Sequence, residues 1–172
     1  MRLLFEMDLK NYDKNGNTFV RPSSRAIIIK NQKIYMVHSL LYDYYKFPGG
    51  GIEKGESNIE ALIRETAEEA GLIVKKESIK EFGYVHRVQK SDHDGCSIFI
   101  QDNYYYLCEV EDNKINQNLD DYEDYEKFTL ELVDPIVAIE ANKNKNHGPK
   151  DMVELEREAK VLEVLTKEGY FN

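Results

Sequence analysis

Residues Phe47 to Leu72 constrain this chain more than any other stretch: Pro48 and three consecutive glycines, Gly49, Gly50 and Gly51, lead into a helix signalled at both ends. Gly and Pro punctuate helical and strand periodicities alike, so Tyr42–Phe47 is expected to end in a loop, not an element, at the glycines. Three glycines in a row imply that something approaches that backbone closely. Ser57 with Glu60 three residues on forms a capping box, and Gly71 suits the left-handed position after a helix. The expected helix therefore spans Ser57 to Ala70.

With Glu65 at zero on a helical wheel, Glu68 falls at roughly 300° and Glu69 at roughly 40°. Three carboxylates thus share an arc of roughly 100°. Ile59, Leu62, Ile63, Thr66 and Ala70 fall between roughly 60° and 160° and form the expected buried face. A solvated acidic face is the bland reading of such a helix. Against it, Glu65 forms like-charge pairs with Glu68 and Glu69, each costing about 0.2–0.5 kcal/mol. No lysine lies between Ser57 and Ala70, and Glu68 and Glu69 occupy the last turn, where the helix dipole favours cations. A bound hard cation, Mg²⁺ with Mn²⁺ as the alternative, would offset all of these penalties through oxygen ligands.

The remaining sequence bounds the setting. At 172 residues the chain fits one domain, 1–172, with a sizeable core. Its 32% charged content and the lack of a long apolar run speak against a membrane span. Met1 to Lys10 lacks the layout of a secretory signal, so a cytoplasmic location is expected. Cys96 and Cys108 sit in no metal or redox spacing and read as reduced thiols. A net charge of -9 argues against stable nucleic-acid binding, although metal ions can bridge an acidic protein to a polyphosphate.

Strands are expected at Leu3–Met7, Ala26–Ile29, Ile34–Val37, Leu72–Val74, Ile79–Val88 and Ser97–Val110, with Lys90–Gly95 a loop. Glu111 to Lys127 reads as a long mobile loop, Phe128–Val133 as a short strand and Ile136–Ala141, after Pro135, as a helix. Asn142–Lys150 reads as a linker. A final amphipathic helix, about 151–168, carries Met152, Val153, Leu155, Ala159, Leu162, Val164 and Leu165 as its apolar stripe. No internal repeat is present.

Taken together, Gly50, Glu56 and the run Arg64-Glu65-Thr66-Ala67-Glu68-Glu69-Ala70-Gly71-Leu72 closely resemble the Nudix box, at residues 50–72. Thr66 stands where the family usually places an aliphatic residue, and Phe47-Pro48-Gly49 also resembles family members. The resemblance implies a MutT-like Nudix hydrolase of α+β class, an α/β/α sandwich with a mixed β-sheet between helices. It implies that Glu65, Glu68 and Glu69 bind metal with the Gly49 carbonyl, that Arg64 orients glutamates, and that Gly50, Glu56 and Gly71 shape the box. Arg64 pairing merely with Glu60 or Glu68 on the helix remains the competing reading. A further base or ligand often comes from the loop before the element that starts here at Phe128, which brings in Glu123 and Glu126; a solvated loop is the alternative for both.

The activity so implied is metal-dependent hydrolysis of a phosphoanhydride in a nucleoside diphosphate linked to another group, with Glu65 as the base inside the box. Nucleoside triphosphates, sugar nucleotides and dinucleoside polyphosphates all fit as small-molecule partners. A regulatory domain that binds a nucleotide or metabolite without cutting it is the other reading, disfavoured by the three intact acids. Tyr42, Tyr44, Tyr45 and Tyr104–Tyr106 read as structural strand tyrosines before base-stacking ones. His86 and His93 are isolated, and a homodimer stays open.

Overall fold

In a computed structural model, residues 1–144 and 146–172 are described. The strands are β1 (Leu3–Asp8), β2 (Thr18–Val20), β3 (Ser23–Ile27), β4 (Ile29–Lys30), β5 (Lys33–Ser39), β6 (Tyr44–Lys46), β7 (Gly49–Gly51), β8 (Leu72–Val74), β9 (Lys80–Lys90), β10 (Ile98–Leu107), β11 (Val110–Lys114) and β12 (Phe128–Val133). The α-helices are α1 (Asn58–Ala70), α2 (Asp121–Tyr125), α3 (Pro135–Lys143) and α4 (Met152–Lys167). A mixed sheet runs β1-β9-β10-β3-β7, with β2 also on β10. In it β1 lies parallel to β9 and β3 parallel to β10, while β9–β10 and β3–β7 are antiparallel. A second, antiparallel sheet runs β12-β5-β4 with β6 on β5, and β8 pairs with β11.

The two-residue period of the strands feeds two cores. Ile27 and Tyr105 point to one, closed by Val161, Leu162 and Leu165 of α4 and Ala138 of α3. Their neighbours Ala26, Ile28 and Tyr106 point to the other, closed by Leu62 and Ala70 of α1. Leu62 and Ile27 are fully buried, each worth about 2 kcal/mol relative to exposure. The result is an α+β fold with a mixed sheet between helices, as the resemblance implied. Among the described residues no helix is long and apolar enough to cross a membrane.

Three expectations need correction. The glycines form strand β7, not a loop: Gly49 sits at φ +145, where a Cβ would lie 2.1 Å from the Ser24 carbonyl oxygen. The close approach read from the sequence is therefore that of β3, which glycine alone permits. Glu111–Lys127 is not one mobile loop. It contributes to β11, which pairs with β8, and contains α2. The expected linker 142–150 begins inside α3, whose buried Asn142 side chain bonds both the amide and the carbonyl of Tyr45, at 2.8 and 2.7 Å. Position 145 of that linker lies outside the described residues.

Candidate active site

Helix α1 starts and stops where its sequence says. Ser57 Oγ accepts from the Glu60 amide at 3.2 Å, and the Glu60 carboxylate accepts from the Ser57 amide at 2.8 Å. Gly71 takes the left-handed conformation at φ 64 and donates to the Ala67 carbonyl. No basic residue occupies the last turn, so the final carbonyls find partners elsewhere. The Asn118 amide donates to Glu68 O at 2.8 Å, Ile115 N to Gly71 O at 2.9 Å, and the Gln117 side chain to Glu69 O. Residues 115–118 thus cap the glutamate helix and lead directly into α2.

Burial sorts the three glutamates in a way the wheel did not. Glu69 is 1% exposed and lies on the buried side with Ala61, Leu62, Thr66 and Ala70, while Ile59 and Ile63 are only half-buried. Its carboxylate is matched there by the Lys46 ammonium and by the Gly49 amide at 3.0 Å. Burial still pushes Glu69 up to about 7 against the pull of Lys46, with Glu123 adding repulsion. Glu65 is raised by the same desolvation, opposed by Arg64. Glu68 is the most open of the three.

Arg64 is the hub of the box. Its Nε and Nη2 grip both oxygens of Glu56 at 2.7 and 2.9 Å, Nη2 also donates to Gly51 O at 3.1 Å, and Nη1 reaches Glu65 at 2.7 Å and Glu68 at 3.2 Å. This fork is bidentate recognition that lysine cannot copy. It ties the glycine strand, the loop at Glu56 and the helix together, and it holds the Glu56 carboxyl below its ordinary range. Among the described residues Arg64 forms no hydrogen bond or ion pair with Glu60.

Two adjoining recesses, of about 430 and 460 Å³, meet along Arg21, Gly51, Glu65, Asp120 and Glu123. Glu69 faces the first and Glu68 the second. Glu123 and Glu126 part company here. Glu123 is buried in the recess, accepting from the Asp120 amide at 2.9 Å and the Tyr122 hydroxyl at 3.0 Å. Glu126 turns away to clamp Tyr44 and Ser39, at 2.5 and 3.0 Å. The Gly49 carbonyl faces Arg25 Nη1 at 3.4 Å.

The donor set suits a hard divalent cation: several carboxylates and a backbone carbonyl, with the proton affinities of Glu65 and Glu69 raised by burial and, to a lesser degree, by the charges of Glu68 and Glu123. As the side chains stand, however, no three acidic, histidine or cysteine groups among the described residues converge as a metal site. Lys46 and Arg64 occupy the carboxylates instead. Sequence reasoning missed Lys46, Arg21 and Arg25, all lining the cleft, and the buried pair Arg157 and Glu158. A signal for Glu158 existed: it lies three residues after Leu155 and four before Leu162, within the apolar stripe of α4.

Comparison with known proteins yields a match to the NUDIX domain family over residues 20–153. A U8 snoRNA-decapping enzyme from Homalodisca vitripennis is 34% identical over 68 residues, 39% of this chain and 36% of that protein. The aligned part thus spans about a third of that relative's length. A nudix hydrolase family member from Chromobacterium violaceum shares the fold, with a TM-score of 0.52 and 18% identity, over 89% of this chain and 83% of that one. A NUDIX hydrolase from Nitrosomonas europaea aligns at a TM-score of 0.46 and 22% identity, over 60% of this chain and 67% of that one.

Proposed function

The chain belongs to the NUDIX domain family, and from that premise we propose that it is a divalent-metal-dependent hydrolase of a phosphoanhydride in a nucleoside diphosphate linked to a further group. The observation that carries this reading is the acid-lined junction where Glu65, Asp120 and Glu123 meet between the two recesses. Glu65, Glu68 and Glu69, with the Gly49 carbonyl, would hold Mg²⁺ or Mn²⁺. Such an ion supplies charge neutralisation at the phosphates and an acidified water.

The chain's own groups divide the remaining work. Arg64 keeps Glu65 and Glu68 in place through its grip on Glu56. Arg21, unpaired among the described residues and set against Gly51, offers a cation to a phosphate oxygen. Proton acceptance from the attacking water falls to Glu123, because among the described residues its oxygens accept from an amide and a hydroxyl and form no ion pair. Glu65, the base within the box, is instead held by Arg64.

A second reading has one observation in its favour: Lys46 and the Gly49 amide already satisfy Glu69, as they would in a domain that binds a nucleotide without cutting it. Release of phosphate and nucleotide from nucleoside di- and triphosphates, sugar nucleotides, dinucleoside polyphosphates and a capped dinucleotide, with and without Mg²⁺ or Mn²⁺, separates the two. Metal-dependent turnover that falls at least a hundredfold in Glu123→Gln supports the hydrolase. Binding without turnover across the panel supports the regulatory domain.

A further inference from the structure

The first recess, which Glu69 faces, is also lined by Phe19, Phe99 and Gln101. Phe19 of β2 and Phe99 of β10 stand with ring centroids 6.0 Å apart. Each ring is braced, Phe19 by the stacked His93 ring at 4.1 Å and Phe99 by the Arg87 guanidinium at 5.6 Å. Gln101 lies two residues along β10 from Phe99, on the same face of the strand.

The amide of Gln101 has a defined orientation. Arg157 Nη1 donates to its Oε1 at 3.3 Å, and a guanidinium has donors only, so the atom it meets must be the oxygen. Arg157 cannot swing away: it is 1% exposed, bonds Glu158 through Nε and Nη2 at 2.9 and 2.6 Å, and bonds Asn103 Oδ1 at 2.9 Å. Asn103 Oδ1 is held in turn by the Ser23 hydroxyl at 2.7 Å. The Nε2 of Gln101 makes no hydrogen bond among the described residues and opens to the cleft, although the residue as a whole is only 9% exposed. Two donors therefore stand unused at the wall of the cleft, beside an aromatic surface.

We propose that Gln101 is a specificity-determining residue for a nucleobase that lies on the Phe19–Phe99 wall and offers a carbonyl oxygen to the Gln101 amide nitrogen, and that Arg157 is its positioning residue. An amino group at that place would meet donor with donor and leave both unpaired, which a partly desolvated site penalises strongly. The inference rests on the cleft being the substrate site proposed above.

Calorimetric binding of UDP against CDP and of GDP against ADP, with and without Mg²⁺, tests it, because the members of each pair present a carbonyl or an amino group at the same ring position. In at least one pair the carbonyl-bearing nucleotide is expected to bind about tenfold more tightly. Gln101→Glu keeps an acceptor for Arg157 but replaces the donors, so that ratio should vanish or invert. Phe99→Leu should weaken both members of the pair alike and leave their ratio unchanged. Equal affinities in both pairs, a preference that survives in a folded Gln101→Glu variant, or no nucleotide binding at all would each overturn the proposal. If Gln101→Glu does not fold, the wild-type ratios decide alone. Base-dependent binding without metal-dependent turnover upholds this inference and removes the hydrolase reading; turnover without base discrimination does the reverse.

Discussion

The carboxylate of Glu65 lies where a side chain on Gly50 would begin: a Cβ built on Gly50 falls 2.3 Å from Glu65 Oε2. The glycine strand and the helix thus share one space, and the glutamate takes it. Gly50→Ala should push Glu65 off its place and out of the Arg64 bond. Because the displaced atoms are the end of a flexible side chain, the stability cost should stay at about 1 kcal/mol or less. A carboxylate moved by an ångström, however, should lower kcat about a hundredfold. Steady-state kinetics beside a thermal melt shows whether the two effects separate in this way.

Glu69 should leave a signature in the pH dependence of stability. Its folded proton affinity is raised to about 7, above the ordinary carboxylate value, because burial disfavours the charge. The folded state therefore keeps the proton where the unfolded state has lost it, and stability from this group falls as pH rises from about 4.5 to about 7. In metal-free protein, Glu69→Gln should remove this slope, which reaches about 1.4 kcal/mol per pH unit. Denaturant titrations of both proteins between pH 5 and 7.5, in the presence of a chelator, should show the variant gaining on the wild type with rising pH. Parallel curves would mean that Lys46 keeps Glu69 ionised throughout.

Gly71→Ala meets two obstacles at once. The residue sits at φ 64, and a Cβ there would lie 2.4 Å from the backbone oxygen of Ile115. Since the obstacle is backbone, residues 115–118 must shift and release the carbonyls they cap. A loss of about 2–3 kcal/mol is expected, read as a lower denaturant midpoint. Activity should fall as well, because the same segment leads into α2 and sets Glu123 in the recess.

The two thiols should react very differently. Burial pushes Cys108 up to about 12, and its side chain packs in the core with Val74 and Tyr106, whereas Cys96 is half-exposed. Alkylation of the native protein at pH 8 should modify one cysteine, identified by peptide mass as Cys96. Two should react after denaturation.

Much of the site was legible before any coordinates. The capping box at Ser57 and Glu60 and the terminator Gly71 are local devices, decided by hydrogen bonds within a few residues, and they bound the helix as expected. The close approach at Gly49–Gly51 was legible too, but its cause was not, since the approaching backbone belongs to β3, more than twenty residues upstream. The wheel placed Glu69 among exposed acids because helical phase alone carries no knowledge of Lys46 or of the Gly49 amide, which make its burial tolerable. Glu111–Lys127 read as loop because its apolar content is low. Its order comes instead from pairing with β8 and from capping carbonyls of α1, both long-range.

By itself the sequence determined which residue types stand at which spacing from Gly50 to Leu72, where the glutamate helix starts and stops, and the family to which that pattern belongs. These depend on short-range backbone preferences and on chemical identity. Only the tertiary structure decided which carboxylates share a recess, that Glu123 enters it while Glu126 turns to Tyr44, and that Arg157 orients Gln101 across the cleft. Those outcomes arise from contacts between segments far apart in the chain, where burial, charge compensation and hydrogen-bond satisfaction must be met at once.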